Sequence, residues 1–292
     1  MAPELKTLAV NGVELAYVER GAPRPDRPTL LFVHATGFHA HLWDYHAEAL
    51  ADVHTIALDQ RGHGRSTKRA VQHWSTFGED QVQFVRALGL ERLIGIGHSM
   101  GAHAMIDGAA HSGAFSRLLL LDPTVVSPED YAHAEPNPFG EGLHPAAKRR
   151  RYFDSPQDMI ERLRPKSSFP LFDERILSDY CRFGLEPDAD HGWRLACDPE
   201  VEAAVYMSAR TNGAVYDSVR SLDIPVTVVR AQTPEPGDER NFSMSPTWPS
   251  LAGAFPQARD LHWADCSHFI PMERPDAVLT LIREEIDAWQ DT

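Results

Sequence analysis

The stretch LIGIGHSMGAHAMI, residues 93–106, decides how this chain is read. An apolar run ends at Gly97-His98-Ser99-Met100-Gly101, and a run of small, helix-compatible residues follows. A strand that turns this sharply into a helix strains the backbone of its central residue. It also brings helix and strand so close that the positions two before and two after must be small. Gly97 and Gly101 meet that demand, and the side chain of Ser99 is left projecting at the end of the strand. The next amide, that of Met100, opens a helix, where backbone N–H groups and the helix dipole favour negative charge. A nucleophile beside an anion-stabilising amide is the starting arrangement of acyl transfer.

Outward from this turn, short apolar runs alternate with stretches of helical length and period. The runs fall at 29–34, 54–59, 93–98, 117–122, 225–230 and 259–263, with helical stretches at 43–51, 77–88, 100–111 and 275–289. Runs that are apolar on both faces predict strands of a buried parallel sheet, and the alternation predicts a doubly wound α/β fold. Two strands joined at Asn11-Gly12, a strong hairpin dipeptide, precede it. That makes about eight strands. Residues 124–212 do not fit the alternation. They are too long for a structureless loop and too rich in aromatics and leucines to stay solvated, so they predict a helical cap. The expected division is a core of residues 1–123 and 213–292 with the cap at 124–212.

Composition narrows the function. The 292 residues carry a formal net charge of −14, which argues against nucleic acid and anionic membrane as partners. The first residues, MAPELKTLAVNG, contain no apolar signal core, and no apolar run nears the roughly 18–20 residues of a membrane span. The three cysteines, Cys181, Cys197 and Cys266, have no metal or redox spacing. These features lead us to expect a cytoplasmic chain with reduced thiols, with room for a homodimer. His34, His39, His41 and His46 lack a recognisable ligand pattern, and no phosphate-binding glycine motif is present, so neither metal nor cofactor is expected.

An acyl-transfer serine needs a histidine. His268 lies between the last apolar run and a final helix opened by Pro275, where a loop can carry its imidazole over the serine; His262, inside the strand pattern, suits this less. With these residues in place the chain resembles the α/β-hydrolase superfamily over nearly all its length outside the cap. The motifs follow in order: His34-Ala35-Thr36-Gly37, Asp59-Gln60-Arg61-Gly62-His63-Gly64-Arg65-Ser66, the Ser99 turn, and Ser267-His268-Phe269. The resemblance implies Ser99 as nucleophile and His268 as general base. It implies the amides of Thr36 and Met100 as oxyanion hole, although Ala35 stands where the family usually has glycine.

The acid of the triad usually follows the strand at 225–230, and there this chain has Glu235, with Asp238 three residues later. A subset of the superfamily places the acid where Asp122 stands. Glu235, Asp122 and Asp238 are therefore the candidates, in that order. Phe38, Phe269 and Trp248 are candidates for the substrate pocket. Lys148-Arg149-Arg150-Arg151 reads first as a charged face paired with acids, and secondarily as a greeting for an anionic substrate.

The expected activity is cleavage of a small carboxylic ester or lactone through an acyl-enzyme. A carbon–carbon bond hydrolase, or a ligand receptor or cofactor-free oxygenase on the same scaffold, is the alternative.

Overall fold

The computed structural model describes residues 3–134, 143–235 and 241–290. Eight strands form one sheet: β1 (Glu4–Val10), β2 (Val13–Arg20), β3 (Thr29–Val33), β4 (His54–Leu58), β5 (Leu93–His98), β6 (Phe115–Leu121), β10 (Val226–Arg230) and β11 (Ala258–His262). Their spatial order is β1-β2-β4-β3-β5-β6-β10-β11. β1 and β2 form an antiparallel hairpin through Asn11 and Gly12, both at positive φ, and β2 meets β4 antiparallel. From β4 to β11 every pairing is parallel. β3, β4 and β5 are buried along their whole length, as strands covered on both faces must be.

Helices cover both faces. Besides α1 (Asp44–Ala49), the main ones are α2 (Ser75–Ala87), α3 (Met100–Ser112), α8 (Val215–Ser221) and α10 (Pro275–Gln290). Phe84, Ala102, Met105 and Val215 pack with Leu118 and Leu120 on one face. Trp43, Ile282 and Ile286 pack with Phe32, Ile94 and Leu119 on the other. Alternate residues of one strand thus serve opposite cores. Each fully buried aliphatic or aromatic side chain contributes about 1.5–3 kcal/mol.

Between β6 and β10 lie α4 (Pro128–Ala132), α5 (Pro156–Leu163), α6 (Glu174–Phe183) and α7 (Pro199–Met207). The starts of α5, α6 and α7 are fixed by Ser155, Asp173 and Asp198, whose side chains accept first-turn N–H bonds. This segment is not wholly helical. β7 (Tyr152–Phe153), β8 (Leu185–Asp188) and β9 (Gly192–Leu195) make a separate antiparallel sheet. These strands are two to four residues long and partly polar, so they lack the apolar runs that mark the main sheet. The segment's core, with Met159, Ile176, Leu177 and Tyr180, is continuous with Ala35, Phe38 and Leu42 of the main domain and with Met272 of α9 (Ile270–Glu273). The three cysteines are buried and free. Among the described residues no helix is long and apolar enough to cross a membrane.

Candidate active site

Ser99 sits between β5 and α3 with φ 56° and ψ −118°, a conformation side chains rarely adopt. The glycines explain how it is tolerated. A Cβ on Gly101 would lie 2.4 Å from the Val33 carbonyl oxygen, and one on Gly97 would lie 2.6 Å from the Ala102 Cα. Only bare backbone fits on either side of the turn. The turn is pinned to the neighbouring strand by the Ser99 N–H, which donates to the Leu121 carbonyl at 3.0 Å.

His268 lies between β11 and α9. Its N–H donates to the Ser243 carbonyl at 2.8 Å, and its ring bridges two groups. Nε2 is 2.9 Å from Ser99 Oγ, and Nδ1 is 2.6 Å from Asp122 Oδ2. Because the fully buried carboxylate of Asp122 can only accept, Nδ1 carries the proton and Nε2 is left free to accept from Ser99. The structure thus brings together Ser99, His268 and Asp122.

Asp122 is itself positioned by its surroundings. It follows β6 directly at φ 44° before Pro123, and its N–H donates to the Val229 carbonyl at 2.7 Å. Oδ1 accepts from the Ala231 N–H at 3.0 Å, from Ser245 Oγ at 2.5 Å and from Thr247 Oγ1 at 3.0 Å. A second oxygen so occupied leaves Oδ2 for the imidazole. Glu235, by contrast, is exposed, five residues beyond β10 and flanked by Pro234 and Pro236. Asp238 lies outside the described residues.

On the other side of Ser99 is the loop after β3. Among the described residues neither the Thr36 N–H nor the Met100 N–H donates to a protein acceptor. Thr36 Oγ1 donates to Met100 Sδ at 3.3 Å, which ties the loop to the helix start. Ala35 does not need positive φ; that conformation falls at Gly37, φ 81°. The loop is held from below by the second motif. The Gln60 N–H donates to His34 Nε2 at 3.0 Å, and the Gln60 side chain donates to the His34 carbonyl at 2.8 Å. Asp59 accepts from the Ala40 and Arg65 N–H groups at 2.6 and 2.7 Å.

Phe38 and Phe269 form a wall between the loop after β3 and the loop that carries His268. Their rings are 6.0 Å apart, and Phe269 meets His268 at 5.6 Å. Trp248 packs instead against Tyr216 in the core beside α3 and α8, with its N–H on the Val125 carbonyl.

Two arginines of the basic run are paired within the segment between β6 and β10. Arg149 pairs with buried Glu202 and donates to Tyr180 Oη at 2.8 Å; Arg151 pairs with Asp198 at 2.8 Å. Burial pushes the Tyr180 hydroxyl up to about 12 and raises the Glu202 carboxyl. This pair rests on Gly37, where a Cβ would lie 2.8 Å from Glu202 Oε1. One group of three metal-type ligands converges among the described residues, Asp188, Asp190 and His191, at an exposed turn of the cap and away from the residues around Ser99.

Sequence reasoning passed over three residues that touch this site: Thr124, Ser245 and Thr247. Thr124 Oγ1 is 3.1 Å from Ser99 Oγ. The one available signal was proximity in sequence to Asp122; Ser245 and Thr247 had none.

A serine on a strand–helix turn, facing an acid-supported imidazole at the carboxyl end of a parallel sheet, defines a nucleophile-elbow hydrolase scaffold. Residues 30–281 match the Alpha/beta hydrolase family, and the chain belongs to that family. Among curated proteins it is similar to the dihydrolipoyllysine-residue acetyltransferase component of the acetoin cleaving system of Cupriavidus necator. The two are 30% identical over 143 residues, 48% of this chain and 36% of that protein. The chain thus spans about a third of that relative's length. It is also similar to Esterase YbfF of Escherichia coli, 23% identical over 81% of this chain and 84% of that one. Among solved structures, E-2-(acetamidomethylene)succinate hydrolase superposes with a TM-score of 0.74 at 20% identity, covering 98% of this chain and 100% of the other.

Proposed function

We propose that the protein is a serine hydrolase that cleaves a small carboxylic ester or lactone through a Ser99–His268–Asp122 triad. The observation that supports this most is the bridging imidazole, with hydrogen bonds of 2.9 Å to Ser99 Oγ and 2.6 Å to Asp122 Oδ2.

His268 takes the Ser99 proton as Oγ attacks the carbonyl carbon. The oxyanion is received by the N–H groups of Thr36 and Met100, and Asp122 stabilises the imidazolium. The alkoxide leaves with the proton from His268. Water then repeats the sequence: His268 takes its proton, the hydroxide attacks the acyl carbon, and Ser99 recovers its proton from His268. The wall of Phe38 and Phe269 suits an apolar acyl or alcohol group. Arg149 and Arg151 of the basic run are engaged by Glu202 and Asp198 and so are not free to hold a substrate carboxylate, which supports the ester or lactone reading over carbon–carbon bond hydrolysis, while Lys148 and Arg150 are exposed.

The test is intact-protein mass after exposure to a phosphonate ester, beside hydrolysis of a panel of p-nitrophenyl esters and simple lactones. The expected result is one adduct, absent in Ser99→Ala, and turnover of at least one panel member that this substitution lowers by several orders of magnitude. An adduct without turnover would point to a receptor. No adduct and no turnover would remove the assignment.

A further inference from the structure

The triad accounts for one hydrogen bond at Ser99 Oγ, and the structure contains a second. Thr124 Oγ1 lies 3.1 Å away, in a half-buried position on the loop that begins with the acid itself, Asp122-Pro123-Thr124. Proton accounting fixes the direction of this bond. Ser99 has one hydroxyl hydrogen, and His268 Nε2 receives it, since Nδ1 already donates to Asp122. Ser99 Oγ is therefore the acceptor from Thr124. We propose that the Thr124 hydroxyl is a fourth catalytic group, a donor that steadies Ser99 Oγ whenever that oxygen carries negative charge. The proposal rests on the serine hydrolase reading above.

The backbone around Thr124 is anchored tightly enough for such a role. Its N–H donates to the Ser99 carbonyl at 3.2 Å, so the two residues are tied by main chain as well as side chain. Its own carbonyl accepts from His103 Nδ1 at 2.9 Å. His103 is fixed in that tautomer because Asn212 Nδ2 donates to its Nε2 at 3.1 Å. Asn212 also donates to Asp107, as does Ser218, each at 2.7 Å. This buried polar chain, reaching from α3 to α8, holds the threonine from behind.

The consequence follows through both covalent steps. In acylation the Ser99 hydrogen passes to His268 while the Oγ–carbon bond forms, and negative charge passes through Oγ. In deacylation the Oγ–carbon bond breaks, Oγ leaves with the electron pair, and the proton returns to it from His268. Thr124 donates in both steps and keeps its own proton. A hydrogen bond to a charged oxygen contributes roughly 10- to 100-fold in rate.

The experiment compares wild type with Thr124→Ser, Thr124→Val and Thr124→Ala. It reads the rate constant of phosphonate-ester labelling by intact mass, kcat and KM on p-nitrophenyl acetate, and the pH profile. The expected result is that T124V and T124A label and turn over about 10- to 100-fold more slowly. KM and the position of the pH profile should stay in place, and T124S should remain within about threefold of wild type. Loss of packing alone would slow T124A but spare the isosteric T124V. The proposal is overturned if T124V or T124A labels at the wild-type rate while folded, or if T124S is as slow as they are. Should T124V fail to fold, the T124A-to-T124S ratio decides. Failure of the wild type to label would instead overturn the hydrolase reading, and this proposal with it.

Discussion

Acidification from pH 7.5 to 5.5 should cost this fold several kcal/mol, because it buries an unusual set of neutral histidines. His39 and His46 are pushed down to about 4, and His63 and His98 to about 3, in each case chiefly by burial. The ordinary value is 6.5. The sign follows from which state binds the proton. Above pH 6.5 neither state holds it, and the contribution is flat. Between 6.5 and the folded value only the unfolded chain takes it up, so stability falls as pH falls. At pH 5.5 each of these histidines costs on the order of 1 kcal/mol, and the four together several kcal/mol. His34 and His103, also lowered by burial, add in the same direction. Asp179 and Glu202, whose carboxyls burial raises, act in the opposite sense. A loss of several kcal/mol is a large part of the roughly 5–15 kcal/mol of a typical domain. The assay is urea unfolding followed by tryptophan fluorescence at pH 7.5, 6.5 and 5.5. The slope of stability against pH should correspond to uptake of about four protons near pH 5.5. His46→Leu should remove about one of them. Stability that stays flat across this interval would refute the reasoning.

Three further outcomes follow from the geometry. Asp122→Asn should lower kcat by about 10⁴-fold by favouring the wrong imidazole tautomer, while Glu235→Gln should leave it within about twofold; steady-state kinetics on the best ester decide. Arg149→Met should destabilise by about 3–5 kcal/mol because it strands buried Glu202, and adding Glu202→Leu should recover much of that loss; denaturant midpoints measure both. Gly101→Ala should cost about 1–3 kcal/mol or more, since its methyl would press on the Val33 carbonyl, and thermal unfolding should show the drop.

How much of this was legible in the sequence depended on whether a feature is local. The Ser99 turn was, because its requirement is steric and acts within five residues: Gly97 and Gly101 are the only side-chain-free solution. His268 was legible by order along the chain, since the loop between the last strand and the last helix must pass the carboxyl end of the sheet. The short cap strands were hidden because β7, β8 and β9 carry too little apolar pattern, although Gly192 at φ 78° lies at the end of their hairpin turn. The acid was ambiguous for a different reason. β6 lies between β5 and β10 in the sheet, so the ends of β6 and β10 both open toward the histidine. Sequence alone offers a carboxylate after each. What separates them in space is local. Asp122 follows β6 directly and turns at positive φ, which aspartate tolerates better than most residues. Glu235 is held between two prolines and stays exposed. Three donors from the β10 side, Ala231, Ser245 and Thr247, converge on Asp122 Oδ1. The loop after β10 therefore acts here as a cradle for an acid carried by the neighbouring strand. Placing this carboxylate after β6 has a second effect: the residue two positions later, Thr124, is carried to Ser99. That contact is a product of topology, and no motif in the sequence announces it.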